Sequence, residues 1–320
     1  MSNEEIINKK IEEAEVITIW GHALPDGDCF GCQIGLREVL RVRYPHKKVY
    51  AIGSGIPALA ERLGVTDQVK DEEIQKSLAI LVDVSCLRRV EDQRITMAKD
   101  WIKFDHHLFN EGESFPYPGL VDSERVSASE IIAEWADRNG YPFNKVSAEA
   151  FFLGIFTDSG SFKFHGTCPK TFETAGKLFS YGVVPYSLLS PLYEMSIDSV
   201  KFRAFLVEQA IISNHVCYVY LRKEQYMSQH IKYEEASSMV GILAGYKTPI
   251  YCLFTEAEDG SIRGELRSER GYPVQPTAKA FGGGGHLFAA GLTLSVDHGP
   301  TINEVVAALN QVEKLKNWGG

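Results

Sequence analysis

The sequence has no long apolar run, no basic tract and no internal repeat. Of its 320 residues 44% are hydrophobic and 23% charged, an ordinary globular composition. Yet no uninterrupted apolar stretch approaches the roughly 20 residues that a membrane span needs. The opening MSNEEIINKKIEEAE is polar and acidic, unlike the apolar core of a secretory signal. These absences lead to the expectation of a soluble, cytoplasmic protein with no membrane partner. The length is enough for two domains of usual size, each with its own core.

Positive charge is also short. The net charge is −9, and runs of Lys or Arg stop at the pairs KK and RR. Proteins that grip long nucleic acid by their surface use a basic face, so a nucleotide ligand here is expected to be short and held in a pocket. Part of the acidity is what a metal site looks like when counted without its metal. Cysteine is sparse: six residues, at 29, 32, 86, 168, 217 and 252. Only Cys29 and Cys32 form a C-x-x-C, and no second such pair completes a zinc or redox motif. They read as small buried residues at the start of a helix, and a disulfide framework is not expected in a reducing compartment.

The first half alternates strand-like and helix-like pieces. EVITIW (15–20), KKVYAI (47–52), SLAILVD (77–83) and WIKFD (101–105) read as strands. Helical spacing covers 29–44, 127–139 and 145–155, a short helix opens at Pro57, and a further one covers about 169–181. Continuous apolar strands in a β-α-β-α rhythm indicate an α/β fold with a mostly parallel sheet covered on both faces. The stretch 182–200 reads as a linker leading into a helix over about 200–211. Beyond it HVCYVYL (215–221), TPIYCLFTEA (248–257), SIRGELRS (261–268) and 291–296 read as strands of a second sheet, with helices over 275–281 and 301–316. The expected domains are 1–185, a connecting linker and helix over 186–211, and a smaller α/β domain over 212–320.

The chemistry-bearing residues of the first half share a topological address. His22, Asp26 and Asp28 follow the first strand, Asp83 ends the third, Asp105, His106 and His107 end the fourth, and Asp158 follows the apolar FFLGIF. In open parallel sheets, sites form outside the carboxyl ends of strands. Each residue alone has a plainer use as a turn, cap or core residue. Four segments that deliver Asp or His to one edge call for a cation. Carboxylates and imidazoles without thiolates suit Mn²⁺ or another borderline divalent ion. Two such ions, about 3.5–4 Å apart, would cancel four carboxylates and suit hydrolysis of a phosphate ester.

These residues fall into motifs. HALPDGD resembles the H-x-x-x-D-x-D first motif of the DHH phosphoesterase superfamily. LVD (81–83) is similar to its second motif, DHH (105–107) to its third and TDSGSF (157–162) to its fourth. IRGELRS followed by AKAFGGGGHLFAAG (278–291) resembles the DHHA1 domain. The resemblance implies two Mn²⁺ per chain in a cleft between a DHH domain and a DHHA1 domain. His22 and Asp26 would hold the first ion, Asp28, His106 and Asp158 the second, with Asp83 bridging. His107 would face the scissile phosphate, and Asp105 would orient a histidine. One departure is Cys29-Phe30-Gly31-Cys32, where the family often has a small residue and Gly-Ser. In the second domain Gly282 to Gly285 would let backbone N–H groups approach an anion. Arg263, Arg267, Ser268 and His286 would bind the terminal phosphate, with Gly283, Gly284 and Gly285 lining it.

The substrates implied are short oligoribonucleotides, linear dinucleotides such as pApA, and adenosine 3′,5′-bisphosphate. The alternatives are a cyclic-di-AMP phosphodiesterase and a nucleotide sensor without turnover. A homodimer is left open. VYAIGSGIPA (49–58) also spells G-x-G-x-x-A after a strand. A nicotinamide site there is not expected, because it would leave the Asp/His set without a purpose.

Overall fold

The computed structural model describes residues 1–107, 116–164, 166–269, 271–295 and 299–316. They form two compact units, Met1–Glu194 and Met195–Gly320. In the first, VITIW and LAILV bury every residue, as strands do when both faces of a sheet are covered. They are β1 (Val16–Trp20) and β3 (Leu78–Val82), joined by β2 (Lys48–Ile52), β4 (Asp100–Asp105) and β5 (Gly119–Val121). The order is β2-β1-β3-β4-β5, and every neighbouring pair is parallel. Alternate side chains serve opposite cores: Ile17, Ile19, Ile80 and Val82 point into one, Trp20, Ala79 and Leu81 into the other.

Helices α1 (Asn3–Glu13), α2 (Gly27–Arg43), α3 (Ala60–Leu63), α4 (Asp71–Ile74), α5 (Ala128–Arg138), α6 (Lys145–Asp158), α7 (Pro169–Phe179) and α8 (Pro185–Tyr193) complete this unit. Helix α2 is buried over most of its length because α6 lies almost against it. Contact that close needs residues without side chains. A Cβ on Gly31 would overlap the Ala150 carbonyl oxygen, one on Gly35 the Phe151 ring, and one on Gly154 both Ser129 Oγ and Asp28. Two expectations change. The stretch 185–193 is helical rather than linker, since Pro185 can open a helix where its missing N–H costs nothing. Helix α6 runs past the expected 155, and Asp158 is its last residue: it reaches the site from a helix C-terminus.

The second unit has six strands: β6 (Ile211–Ser213), β7 (Val216–Leu221), β8 (Ile250–Glu256), β9 (Ile262–Ser268), β10 (Gly284–His286) and β11 (Ala289–Leu294). Their order is β10-β11-β9-β8-β7-β6. Only β7 and β8 run parallel; the other neighbours are antiparallel. Helices α9 (Ile197–Glu208), α10 (Lys223–Met227), α11 (Tyr233–Ser238), α12 (Gln275–Ala280) and α13 (Ile302–Leu309) accompany them. Phe254, Leu266, Leu292 and Val305 form one core, and Phe202, Leu206, Val219 and Leu253 another. The last helix stops at Leu309, short of the expected 316, and residue 296 of the expected last strand lies outside the described residues. Among the described residues, no helix is long and apolar enough to cross a membrane.

Gly31→Ala should lower stability by about 1–3 kcal/mol, the cost of overpacking a dense contact. Gly176→Ala is the control: Gly176 lies in α7 with nothing within 4 Å of a built Cβ, and should gain about 0.5–1 kcal/mol from better helix propensity. Urea unfolding of the two variants distinguishes tight packing from mere conservatism of composition.

Candidate metal centre and active site

In a 2-1-3-4-5 sheet the strand order reverses between β1 and β3, and the loops there diverge to leave a crevice. The exit of β1 carries His22, Asp26 and Asp28, and the exit of β3 carries Asp83. Asp26 caps α2, accepting from the N–H groups of Asp28 and Cys29 at 3.0 Å each. Asp83 extends the β3–β4 ladder by donating its N–H to Phe104 O at 3.0 Å. It then turns into the left-handed region, φ 51°, a costly conformation for a residue with a Cβ. That turn puts its carboxylate, 2% exposed, at the centre of the cluster. Asp83 Oδ2 is 3.5 Å from His22 Nε2, and Oδ1 is 3.4 Å from His106 Nε2 and 3.5 Å from His107 Nδ1. His106 Nε2 also lies 3.1 Å from Asp158 Oδ2 and 4.0 Å from Asp28 Oδ2. His22 Nε2 is 3.7 Å from Asp26 Oδ1. The structure therefore brings together His22, Asp26, Asp28, Asp83, His106, His107 and Asp158.

The electrostatics are those of anions in need of a cation. Burial, Asp83 and Asp158 together push the Asp28 carboxyl well above its usual range. Burial raises Asp158 too, against the pull of His106 and with the push of Asp83. For Asp26 burial is outweighed by His22 and the capping amides, which hold its carboxyl low. Burial alone would make His106 less basic; Asp158 and Asp83 override it and raise the imidazole to about 12. His22 moves the same way through Asp26 and Asp83. Asp83 Oδ1 is buried and accepts no hydrogen bond, which is costly unless something positive meets it. Sets of ligand atoms within 4.8 Å of one another fall on Asp83, His106 and His107, on Asp28, His106 and Asp158, and on His22, Cys29 and Asp83. Carboxylates and imidazoles around an orphaned oxygen fit divalent cations.

Several supporting residues escaped the sequence reading. Asp28 is held by the N-terminus of α5: Oδ2 accepts from Ala128 N at 2.7 Å and Oδ1 from Ser129 N at 2.9 Å. Those are two of the unpaired amides of a helix start. Only the N-cap Ser127 signalled it. Lys103 is fully buried on β4, with Nζ 2.9 Å from Ser85 O and 2.8 Å from Asp105 Oδ2. Asp105 Oδ1 meets His107 Nδ1 at 2.8 Å, so the Lys103–Asp105 pair fixes that ring. Period two puts Lys103 and Asp105 on one strand face, but the Ser85 carbonyl that completes the lysine's contacts is set by the fold. His106 is oriented by its Nδ1, 3.4 Å from Arg125 O.

In the second unit Arg263, Glu265 and Arg267 share one face of β9, as period two requires. Glu265 sits between the guanidiniums, accepting from Arg263 Nε at 2.8 Å and from an Arg267 terminal nitrogen at 3.2 Å. Register aligns Arg267 with Ala289 and Ala289 with His286, so His286 joins that face with a small residue between. Gly284, Gly285 and His286 form strand β10, not an open turn; Gly283 packs where a Cβ would overlap the Gly291 carbonyl oxygen. Ser268 falls on the opposite face of β9 from Arg267, and its hydroxyl donates to Tyr272 O. The structure thus gathers Arg263, Arg267 and His286 and leaves Ser268 out. The GSGIPA loop is closed to a phosphate: Glu91 Oε2 already accepts from Ser54 N at 3.0 Å and Ser54 Oγ at 3.2 Å.

Comparison with known proteins points the same way as the geometry. The model of the DHH family, N-terminal domain, matches residues 16–155, and that of the DHHA1 domain matches 213–314. The chain is 33% identical over 286 residues to the bifunctional oligoribonuclease and PAP phosphatase NrnA of Bacillus subtilis, covering 88% of this chain and 90% of that one. The crystal structure of an exopolyphosphatase-related protein from Bacteroides fragilis superposes with a TM-score of 0.85 at 23% identity, over 97% of this chain and 94% of that one. RecJ from Thermus thermophilus, solved in complex with Mn²⁺, gives a TM-score of 0.52 at 13% identity, over 98% of this chain and 55% of that one. At these identities the two structures establish the shared fold.

The raised imidazoles fix a pH response. The folded state keeps protons on His106 and His22 that the unfolded chain releases near 6.5. Chelator-treated protein should therefore lose stability as pH rises above that value. Asp28 and Asp158, also raised, act in the same direction above 3.8. A saturating divalent ion replaces those protons and flattens the slope. Melting curves from about pH 6 to 9 with EDTA, then with metal, check this; a chelated protein that grows more stable toward alkaline pH contradicts it.

Proposed function

We propose, from the premise that this chain belongs to the DHH family and carries a DHHA1 domain, that it is a cytoplasmic two-metal phosphoesterase of short oligoribonucleotides. Its substrates are RNAs of a few nucleotides and linear dinucleotides such as pApA, released as 5′-mononucleotides, and adenosine 3′,5′-bisphosphate, converted to AMP. The name of the Bacillus subtilis relative, an oligoribonuclease and PAP phosphatase, supports that substrate class. The observation that carries the reading is Asp83: a strained backbone position that places a buried carboxylate among three imidazoles, its unpaired Oδ1 toward His106 and His107 and its Oδ2 toward His22.

His22 and Asp26 would hold one ion and Asp28, His106 and Asp158 the other, with Asp83 within reach of both sets. Mn²⁺, the ion in the Thermus thermophilus RecJ complex, is the proposed occupant. When bound, the pair of ions supplies Lewis-acid polarisation of the phosphoryl oxygens and an activated water nucleophile. The chain does the rest. Asp105, paired with Lys103, holds His107 Nδ1 and so aims the ring at the scissile phosphate, where it orients the group and meets developing charge. Asp28 is kept in place by the α5 amides, so its position does not depend on the ion alone. In the C-terminal unit Arg263, Arg267 and His286, with the backbone of Gly283, Gly284 and Gly285, bind the nucleotide's other anionic group. Glu265 accepts from both guanidiniums and so ties each to that face.

The test is purified protein with Mn²⁺ against labelled RNAs of two to ten nucleotides, pApA, adenosine bisphosphate and cyclic-di-AMP. Rates should fall as the RNA lengthens, and the linear dinucleotide should exceed the cyclic one. A preference for cyclic-di-AMP moves the assignment to a cyclic-dinucleotide phosphodiesterase; tight binding of intact nucleotide makes the protein a sensor. Asp83→Ala should cut turnover by at least about 10²–10³-fold. Arg267→Ala should raise KM about tenfold or more for substrates with a terminal phosphate, the worth of a charge-assisted hydrogen bond. An equal loss on a simple chromogenic phosphodiester would assign that arginine elsewhere.

A further inference from the structure

The C-x-x-C pair takes no part in the chemistry above, and the structure separates its members. Cys32 lies one turn along α2, its Sγ 3.6 Å from Asp28 Oδ1 and 3.2 Å from Ser129 Oγ. That thiol belongs to the hydrogen bonds that hold Asp28. Cys29 is fully buried and belongs to a different group. Its Sγ, a His22 nitrogen and an Asp83 oxygen form one of the three sets of ligand atoms within 4.8 Å of one another.

The position of this sulfur is built. Cys29 is anchored through its N–H, which donates to Asp26 Oδ1 at 3.0 Å. Sγ then rests over the Cα of Gly21, the first residue past β1, where a Cβ would overlap it. Only glycine at 21 leaves room for the thiol beside His22. The carboxylate in the same set, Asp83, is 2% exposed, and its Oδ2 lies 3.5 Å from His22 Nε2. Sulfur, imidazole and a buried carboxylate around one point make a donor set of mixed softness. By contrast, the set of Asp28, His106 and Asp158 is nitrogen and oxygen throughout.

We infer that Cys29 Sγ is a further ligand of the first metal position, beside His22, Asp26 and Asp83, and raises the affinity of that position for thiophilic ions such as Zn²⁺ or Co²⁺ relative to Mn²⁺. This deepens the two-metal reading and rests on it. On binding, the S–H proton passes to solvent as the sulfur–metal bond forms, and no oxidation state changes. Thiolate favours zinc, cobalt and cadmium, whereas carboxylate and imidazole alone accept manganese. The two positions are therefore unequal: one thiophilic, one not.

Cobalt reads this without any turnover. Co²⁺ added to the chelator-treated full chain should give visible ligand-field bands, which report occupancy, and a near-ultraviolet thiolate-to-cobalt charge-transfer band, which reports sulfur ligation. Cys29→Ser should lose the charge-transfer band and keep the visible ones; Cys29→Ala does the same if serine disturbs the start of α2. Cys32→Ser and Cys86→Ser should keep both. Zinc affinity relative to manganese should fall about tenfold or more in Cys29→Ser, the scale on which changed surroundings alter metal binding. A charge-transfer band that survives Cys29→Ser, or one missing from the wild type while its visible bands are present, overturns the inference and leaves the metal centre standing. Absence of every cobalt band removes the metal centre and this inference with it.

Discussion

Carboxylates that share a buried site repel, and the rest of the first unit is arranged around that fact. Asp26, Asp28, Asp83 and Asp158 converge from three elements onto the switch point of one sheet. Burial makes their repulsion expensive, and the neighbouring imidazoles answer by holding protons far above their ordinary range. Protons are a weak substitute for doubly charged ions, because each imidazolium brings one charge and occupies the nitrogen a metal would use. The cluster can thus be balanced in two ways, by protons or by a bound cation.

What keeps the carboxylates from drifting apart is a set of interactions outside the ligand group. The α5 amides fix Asp28, the β3–β4 ladder fixes the backbone of Asp83, and Lys103 fixes Asp105 and through it His107. The partners of Asp28 and Asp83 come from distant parts of the chain, whereas Lys103, Asp105 and His107 are near neighbours in sequence. Such pairs stabilise little by themselves. Their worth is positional: they preset the donors before any ion arrives.

Much of this was legible in the sequence, for identifiable reasons. Buried parallel strands are continuous apolar runs, so VITIW, LAILV and WIKF announced themselves, and a polar residue directly after such a run has few places to go but the carboxyl edge. His22, Asp26, Asp28, Asp83, His106 and His107 were found that way. Asp158 was found by motif, and the helix leading to it was read three residues short, since α6 runs to Asp158. Lys103 stands two residues before Asp105 on one strand face, a pair that period two could have shown; the α5 start could not be read, since its contact with Asp28 is long-range. The second unit was the less legible one. Period two put Arg263 and Arg267 on one face correctly, but the glycine run was taken for a loop although backbone pairing makes Gly284–His286 a strand. Ser268 was paired with Arg267 by adjacency, which in a strand means the opposite face.

The glycines between α2 and α6 carry a further meaning. Asp28 stands in the first turn of α2 and Asp158 in the last turn of α6, so the gap between two metal-binding carboxylates is the gap between two helices. Gly31, Gly35 and Gly154 set that gap at the smallest value backbone permits. These residues carry no functional group, yet they act as the ruler that spaces two of the clustered carboxylates. Any drift toward bulkier side chains there would part Asp28 from Asp158 by pushing their helices apart.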